Sequence, residues 1–211
     1  LPQAEQHYLK AVQVDPKNIE GHMNFGVFNT HVMKLEQAKH SFEQVLRIDG
    51  SSFRALFMLG SVYMELREYY PALANILYAL RMDPEHLESR ILLAEIYRRI
   101  GRYDTAATEL IQLVETHPEM MSGWVRLAII YVETNRHEEA IPMFEYVIEQ
   151  GIQDPQVFEI CAVLHEERGD LERARELYQQ TLLLYPEHPH ATSGLERLNN
   201  QPDMGAALLG S

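Results

Sequence analysis

Residues 87–120 read LESRILLAEIYRRIGRYDTAATELIQLVETHPEM. Two small residues, Ala94 and Ala106, stand twelve positions apart, and Tyr97 and other large apolar residues recur around them at intervals of three and four. Small residues allow two helices to approach closely, and apolar residues at helical spacing form the stripe that such helices bury. Pro118 then ends the second helix. The stretch therefore predicts two packed helices joined by a turn.

The same unit is repeated along the chain. Alanine recurs every 34 residues, at Ala4, Ala38, Ala72, Ala106, Ala140 and Ala174. A second small residue precedes each later alanine by twelve positions, at Gly26, Gly60, Ala94, Ala128 and Ala162. A fixed period of this length is typical of a repeat protein, in which one helical unit stacks on the next. The chain is therefore predicted to be all-α.

This register resembles the tetratricopeptide repeat, a helix–turn–helix unit of the same length. Repeat 87–120 shows the pattern best, and repeat 121–154 adds Trp124 at the family's tryptophan position. The resemblance covers residues 1 to about 199 and implies an all-α, right-handed α-solenoid. It also implies a scaffold or adaptor for other proteins, because stacked repeats form a long curved surface.

We interpret residues 1–199 as a single solenoid. It comprises a half repeat (1–18), five full repeats (19–52, 53–86, 87–120, 121–154 and 155–188) and a closing helix (189–199). Residues 200–211, with Pro202 and two glycines, are expected to form a flexible tail. The half repeat would leave an apolar helix face uncovered at one end. We expect either a fragment of a longer protein or self-association through this open N-terminal helix.

The composition is acidic, with a formal net charge of −13 from 31 acidic and 18 basic residues. Nucleic-acid binding depends on Lys and Arg that neutralise phosphates, so nucleic acid is not an expected partner. No apolar run in the sequence approaches the roughly 20 residues of a membrane span, so membrane insertion is not expected either. The single cysteine allows no internal disulfide framework. We expect a soluble protein, in the cytoplasm rather than in the periplasm.

Ten histidines and one cysteine raise the question of catalysis or metal binding. His165 occupies a repeat position that three other repeats fill with tyrosine, which favours a packing role. Cys161 occupies a buried leucine position, where a thiol is inert. His188 and His190 offer two imidazoles, but divalent metals usually need three or four ligands. We therefore expect no enzyme activity, no metal and no cofactor.

By the resemblance, the first helix of each repeat lines a concave groove that binds the partner. The exposed groove positions of these helices run through all five full repeats and also include Val132, Glu159, Ile160, Val163 and Glu167. Among the exposed positions, the candidate binding residues are Met23, Asn24, Val27, Phe57, Met58, Ser61, Met64, Ile91, Glu95, Arg98, Arg99, Val125, Arg126 and Ile129. Apolar members concentrate in the N-terminal half, where methionines suit a surface that adapts to a partner. The alternative is that several of them, including Phe57, Ile91 and Val125, pack between neighbouring first helices.

Three of the candidates, Arg98, Arg99 and Arg126, form a basic cluster in an acidic protein. Arginine forks bind carboxylates well, so a protein or peptide partner with acidic groups is one interpretation. Pairing with acids of the same chain, such as Glu95 or Glu133, is the other interpretation.

The sequence thus predicts an interaction scaffold that holds a partner segment in its groove without performing chemistry. Two alternatives stay open. One is a self-assembling structural scaffold of a larger assembly, as bacterial repeat proteins can be. The other is a non-catalytic domain of a larger enzyme.

Overall fold

The computed structural model describes Pro2–Asn200, with the backbone alone for Pro2 and Ala4. Within this range the chain forms helices and no strands. The helices are α1 (Pro2–Val14), α2 (Ile19–His31), α3 (Leu35–Ile48), α4 (Phe53–Glu65), α5 (Tyr69–Met82), α6 (Leu87–Arg99), α7 (Tyr103–Thr116), α8 (Met121–Glu133), α9 (His137–Glu149), α10 (Pro155–Arg168), α11 (Leu171–Leu184) and α12 (Pro189–Asn200). None of them is both long and apolar enough to cross a membrane. Apart from Asn200, the predicted tail lies outside the described residues.

The all-α architecture of helix–turn–helix repeats predicted from the sequence is confirmed. Each predicted full repeat contains two helices, of which the first is α2, α4, α6, α8 or α10. The alanines of the 34-residue series that have described side chains are all fully buried: Ala38, Ala72, Ala106, Ala140 and Ala174. The period therefore marks positions at which the second helix of each repeat is fully buried.

Glycine at the small position allows a large side chain opposite it. A Cβ atom on Gly60 would lie 2.6 Å from Ile76, and a Cβ atom on Gly26 would lie 2.5 Å from Phe42. Cβ atoms do not approach other carbon atoms so closely, so a larger residue at Gly60 or Gly26 would force the Ile76 or Phe42 side chain to shift. These pairs join the two helices of their repeats.

The turn between the two helices has the same geometry in every full repeat. One residue, 34 positions on from the last, has a left-handed backbone with φ between 57° and 87°: Met33, Arg67, Gly101, Asn135 and Gly169. The next residue donates its backbone N–H to a carbonyl five positions earlier, as from Lys34 to Asn29 at 2.8 Å. This bond ends the first helix. Glycine adopts the conformation freely, whereas other residues lose about 1–2 kcal/mol there.

The chain divides into two compact units, a first unit of Leu1–Leu113 and a second unit of Val114–Ser211. The boundary falls within α7. In the first unit, α1 packs on α2 through Tyr8, whose ring centroid lies 5.5 Å from that of Phe28.

In the second unit, α12 closes against α11. The backbone of Gly194 lies against the Tyr178 ring, which a Cβ atom would approach to 2.5 Å. Leu198 of α12 is buried, and Arg197 donates hydrogen bonds of 3.1 and 2.9 Å to the carboxylate of Glu166 in α10. These contacts attach α12 to both α10 and α11. Helix α10 is therefore packed on more than one side within the second unit.

Candidate protein-binding site

The second unit carries a pocket between α8 and α10. Its volume is about 440 Å³, and it is lined by Val132, Asn135, His137, Glu159, Ile160, Val163, Leu164 and Glu167. Leu164 is buried and forms the floor, whereas Val163 is 36% exposed, so the pocket is open to solvent. Apolar side chains therefore face water here in a concave setting, with polar groups around them.

Helix α10 supplies most of the lining, because one of its two faces is turned toward the pocket. Glu159, Val163 and Glu167 recur at intervals of four and share the pocket face. Phe158 and Cys161, on the other face, are buried in the core of the unit. The helix thus buries one apolar face and presents a second one to the pocket.

Both ends of α10 are fixed by local signals. Pro155 occupies the first turn, and the Asp154 side chain accepts a hydrogen bond of 2.9 Å from the backbone N–H of Gln156. Acceptor side chains and proline are favoured at these positions because the first N–H groups of a helix lack partners. Gly169, with φ of 87°, ends the helix. The residues that flank α10 therefore fix where the helix begins and ends. Together with packing, they determine which of its residues face the pocket.

The other wall of the pocket is the end of α8 and the turn that follows. Asn135 takes the left-handed conformation of this turn, and His137 is the first residue of α9. The guanidinium of Arg136 lies over the Tyr131 ring, 4.1 Å from its centroid. The hydroxyl of Thr134 donates to the backbone carbonyl of Ile130 at 2.8 Å. These contacts give the rim a defined conformation.

A polar network ties α10 to α9 and α11. The His165 ring nitrogens lie 2.8 Å from Glu145 and 3.1 Å from Asp170. Arg173 donates to both oxygens of Glu145, at 2.8 and 2.6 Å, and these bonds hold the pKa of the Glu145 carboxyl below its usual range. His165 is buried, so the packing role predicted for it is confirmed.

Three members of this region, Glu145, Cys161 and His165, place one potential metal ligand atom each within 4.8 Å of one another. Their surroundings do not suit a cation. The Arg173 guanidinium holds both oxygens of Glu145, and burial, followed by the Glu145 charge, raises the pKa of the Cys161 thiol to about 12. In the structure, Cys161 and His165 both contact Glu145 and so belong to the hydrogen-bond network that ties α10 to α9 and α11.

Two carboxylates stand on the pocket rim, and histidines are their ion-pair partners among the described residues. Glu159 lies 2.9 Å from His190 and 3.4 Å from His188. Glu167 lies 3.1 Å from His137. A histidine forms an ion pair with a carboxylate only when it is protonated, unlike arginine, which is always charged.

In the first unit, the prediction that Met23 belongs to an exposed binding surface is wrong. Met23 is only 5% exposed and belongs to a core cluster with Phe42 and Leu59. Its helical position turns it toward α3 and α4 rather than toward solvent. Val27 and Met58 are partly buried against the same cluster.

The other candidates on α2, α4 and α6 are also engaged within the first unit. Phe57 and Met64 pack against a second cluster that contains Ile76, and the Phe57 ring centroid lies 5.2 Å from that of His86. The Ser61 hydroxyl donates to the carbonyl of Phe57 at 3.0 Å. Asn24 and Ile91 are half-buried. For Phe57, Met58 and Met64, the structure supports the packing alternative.

The two arginines on α6 pair with an acid of their own helix. Arg98 donates to both oxygens of Glu95, at 2.9 and 2.6 Å, and Arg99 donates to one of them at 2.7 Å. Although burial opposes the charged form of Glu95, these bonds lower the pKa of its carboxyl. The internal pairing considered for the cluster is therefore what the structure shows for Arg98 and Arg99.

The remaining candidates, Val125, Arg126 and Ile129, are half-buried on α8 in the second unit. Five pocket residues hold predicted groove positions of their first helices but are not among the fourteen candidates: Val132, Glu159, Ile160, Val163 and Glu167. Ile160 occupies the sixth position of its repeat, as Met58 does, and Val132 occupies the twelfth, as Met64 does. The repeat register therefore places these pocket residues on the same helix faces as the candidates of the other repeats.

Comparisons with known proteins identify the repeat and the fold. Two models of the tetratricopeptide repeat match the chain, one over residues 63–114 and 92–155, the other over residues 162–188. Together they cover more than half of the sequence. No curated protein sequence matches the chain.

Several solved structures share the fold at low sequence identity. YrrB, described as a TPR protein with an unusual peptide-binding site, is 21% identical, with a TM-score of 0.66 over 90% of this chain and 97% of that one. PilF of Pseudomonas aeruginosa is 18% identical, with a TM-score of 0.75 over 93% and 89%. A segment of MamA from Desulfovibrio magneticus RS-1 is 15% identical, with a TM-score of 0.71 over 81% and 97%. These structures show the fold, whereas the tetratricopeptide repeat that the two models match is typical of scaffolds for protein–protein interaction, in a class that is typically non-catalytic.

Proposed function

Because the chain belongs to the tetratricopeptide repeat family, we propose that it is an interaction scaffold that holds a segment of a partner protein in the pocket between α8 and α10. The observation that carries the proposal is the open apolar lining of this pocket by Val132, Ile160 and Val163. Its volume of about 440 Å³ falls within the range of about 300–1,000 Å³ that is usual for ligand sites.

The chemistry of the lining favours a side chain over a small polar molecule. Burying apolar surface contributes about 25 cal/mol per Å², so an aliphatic or aromatic anchor gains most by entering between Ile160 and Val163. Asn135, His137, Glu159 and Glu167 stand around this apolar region and can fix the orientation of a backbone. The description of YrrB as a peptide-binding repeat protein supports the same use of the fold.

The pocket is also suited to binding because its walls are already held in place. The hydrogen bonds among Glu145, His165 and Arg173 fix α10 before any partner arrives. A preformed site loses less conformational freedom on binding than a flexible one, so more of the contact energy appears as affinity.

Selection from a random peptide library displayed on phage tests the proposal. Peptides that bind the wild-type chain should bind the Val163→Glu variant at least tenfold more weakly, because the new carboxylate occupies the apolar lining. Leu77→Glu is the matched control, since Leu77 is similarly exposed but lies on α5 of the first unit. Circular dichroism should show the same helical content in all three proteins. Equal binding by the Val163→Glu variant would refute the proposed site.

A further inference from the structure

Resting on this proposed function, we infer that the segment held in the pocket is extended and cationic, with lysine or arginine two residues before and two residues after an apolar anchor. The inference follows from the position, the spacing and the partners of two carboxylates on α10.

Glu159 and Glu167 bracket the apolar part of the pocket. They stand eight residues apart on one face of α10, which places them about 12 Å apart along the helix axis at 1.5 Å per residue. Ile160 and Val163 lie between them in the sequence and line the same pocket. An apolar side chain seated there has one carboxylate toward each end of α10.

An extended peptide fits this spacing. Side chains two residues apart lie on the same side of an extended chain, and the rise of about 3.3 Å per residue puts the first and fifth residues about 13 Å apart. A segment that lies along α10 with its third residue in the pocket therefore brings its first and fifth side chains to Glu159 and Glu167. The pattern is basic–x–apolar–x–basic.

The partners of the two carboxylates distinguish them from those acids of the second unit that arginine holds. Arg173 holds Glu145, Arg197 holds Glu166 and Arg136 holds Glu139, each at 3.0 Å or less for its shortest bond. Arginine is always charged, so these carboxylates are neutralised within the unit. Glu159 and Glu167 face histidines instead, among the residues that the structure describes.

A cationic side chain of the bound segment can replace histidine as the hydrogen-bond partner of each carboxylate. The contacts of Glu159 with His188 and His190, and of Glu167 with His137, are charge-assisted only in the protonated imidazole. An arriving ammonium or guanidinium offers a stronger charge-assisted hydrogen bond. Glu159 has a side chain only 17% exposed, so its interaction is less screened by water than that of Glu167, at 54%. We therefore expect Glu159 to contribute more to the affinity.

The overall charge of the chain favours the same class of partner. With a net charge of −13, the protein attracts cationic segments over a distance of about one Debye length, near 8–10 Å at ordinary salt. This long-range term acts equally on any basic peptide, so it has to be separated from the local effect of the two rim carboxylates.

The test uses the peptides selected by the wild-type chain, measured by fluorescence anisotropy against two double variants of equal charge. Glu159→Gln/Glu167→Gln removes the rim carboxylates, and Glu172→Gln/Glu176→Gln removes two carboxylates from α11. The inference predicts that selected peptides carry the basic–x–apolar–x–basic pattern. It also predicts that the rim variant binds them at least tenfold more weakly, while the α11 variant stays within about threefold of the wild type.

The outcomes separate this inference from the proposed function. Peptides that lack lysine and arginine, yet lose binding in Val163→Glu, would overturn the cationic inference and leave the proposed pocket standing. Equal weakening by the two double variants would also overturn it, since only long-range charge would then be acting. Selection that yields no peptide sensitive to Val163→Glu would refute the proposed function and this inference together.

Discussion

Residues at equivalent repeat positions have different surroundings in the two units of the chain. Position six of a repeat is Met58 in the first unit and Ile160 in the second, and position nine is Ser61 and Val163. Met58 packs against a core cluster and Ser61 hydrogen-bonds within its helix, whereas Ile160 and Val163 line an open pocket. Repeat position therefore sets which helix face a residue occupies, and its neighbours decide whether that residue is available to a partner.

The carboxylates of the two units show the same contrast. Glu95 on α6 is held by two arginines of its own helix. Glu159 on α10 faces His188 and His190 instead. An acid held by arginine is neutralised at any ordinary pH, so it has little to offer a cationic ligand. The contrast between Glu95 and Glu159 comes from a few neighbouring side chains, whereas both residues stand on the first helix of a repeat.

The largest expected effect separates a core methionine from a pocket residue. Met23→Ala should lower the free energy of unfolding by about 2–5 kcal/mol, because it removes a buried side chain and leaves a cavity. Ile160→Ala, at a half-buried position, should lower it by less than about 1.5 kcal/mol while weakening peptide binding. Urea unfolding followed by circular dichroism measures both changes. If the two variants were equally destabilised, the contrast drawn between the units would be wrong.

A smaller effect is expected from the network that supports the pocket. Glu145→Gln should destabilise the protein by about 1–3 kcal/mol at pH 7, since Arg173 loses a charged acceptor. The folded-state pKa of Glu145 is lowered, chiefly by the bonds from Arg173. Its stabilising contribution is therefore complete above the unfolded pKa, near 4.3, and is lost as the pH falls through the folded value.

Unfolding curves at several pH values check this sign. The gap between the wild type and Glu145→Gln should be widest at pH 7 and should narrow below about pH 4. Glu172→Gln is the control, because Glu172 is highly exposed and its contact with Arg175 should contribute little. A gap that widened on acidification would contradict the role given to Glu145.

The smallest effect concerns a feature that both units share. Met33→Gly should stabilise the first unit by about 1 kcal/mol, because the left-handed conformation of Met33 suits glycine better. Gly169→Ala, at the same turn of the second unit, should destabilise by a similar amount. Thermal unfolding of both variants measures the changes, and effects of the same sign would show that the turns are not equivalent.

The sequence predicted the fold well because the fold depends on a strict period. Alanines such as Ala72 and glycines such as Gly60 specify close packing at positions that recur, and the helix bounds follow from them. The left-handed turn has residues that suit it at Gly101, Asn135 and Gly169, whereas Met33 and Arg67 carry no sequence signal for that conformation. Tertiary packing holds Met33 and Arg67 in the left-handed conformation, although that conformation is less favourable for them than for glycine.

The exposure of individual groove positions was predicted less well, because exposure depends on contacts between repeats. Met23 and Val163 both stand on predicted groove faces, yet Met23 is buried and Val163 is 36% exposed. Nor does the sequence show that Glu95 has arginine partners while Glu159 has histidines that come from a later repeat. Such pairings depend on which side chains are neighbours in three dimensions. The repeat register predicts which helices are neighbours, but it does not predict which of their side chains meet.

The most direct test of the central claim is a methyl NMR titration of the isoleucine- and valine-labelled chain with a peptide selected by the wild type. Binding in the pocket should shift the methyl signals of Val132, Ile160 and Val163 with increasing peptide, while that of Val27 in the first unit stays unchanged. Shifts at Val27 and Ile91, with unchanged signals from Ile160 and Val163, would place binding in the first unit and refute the proposed pocket.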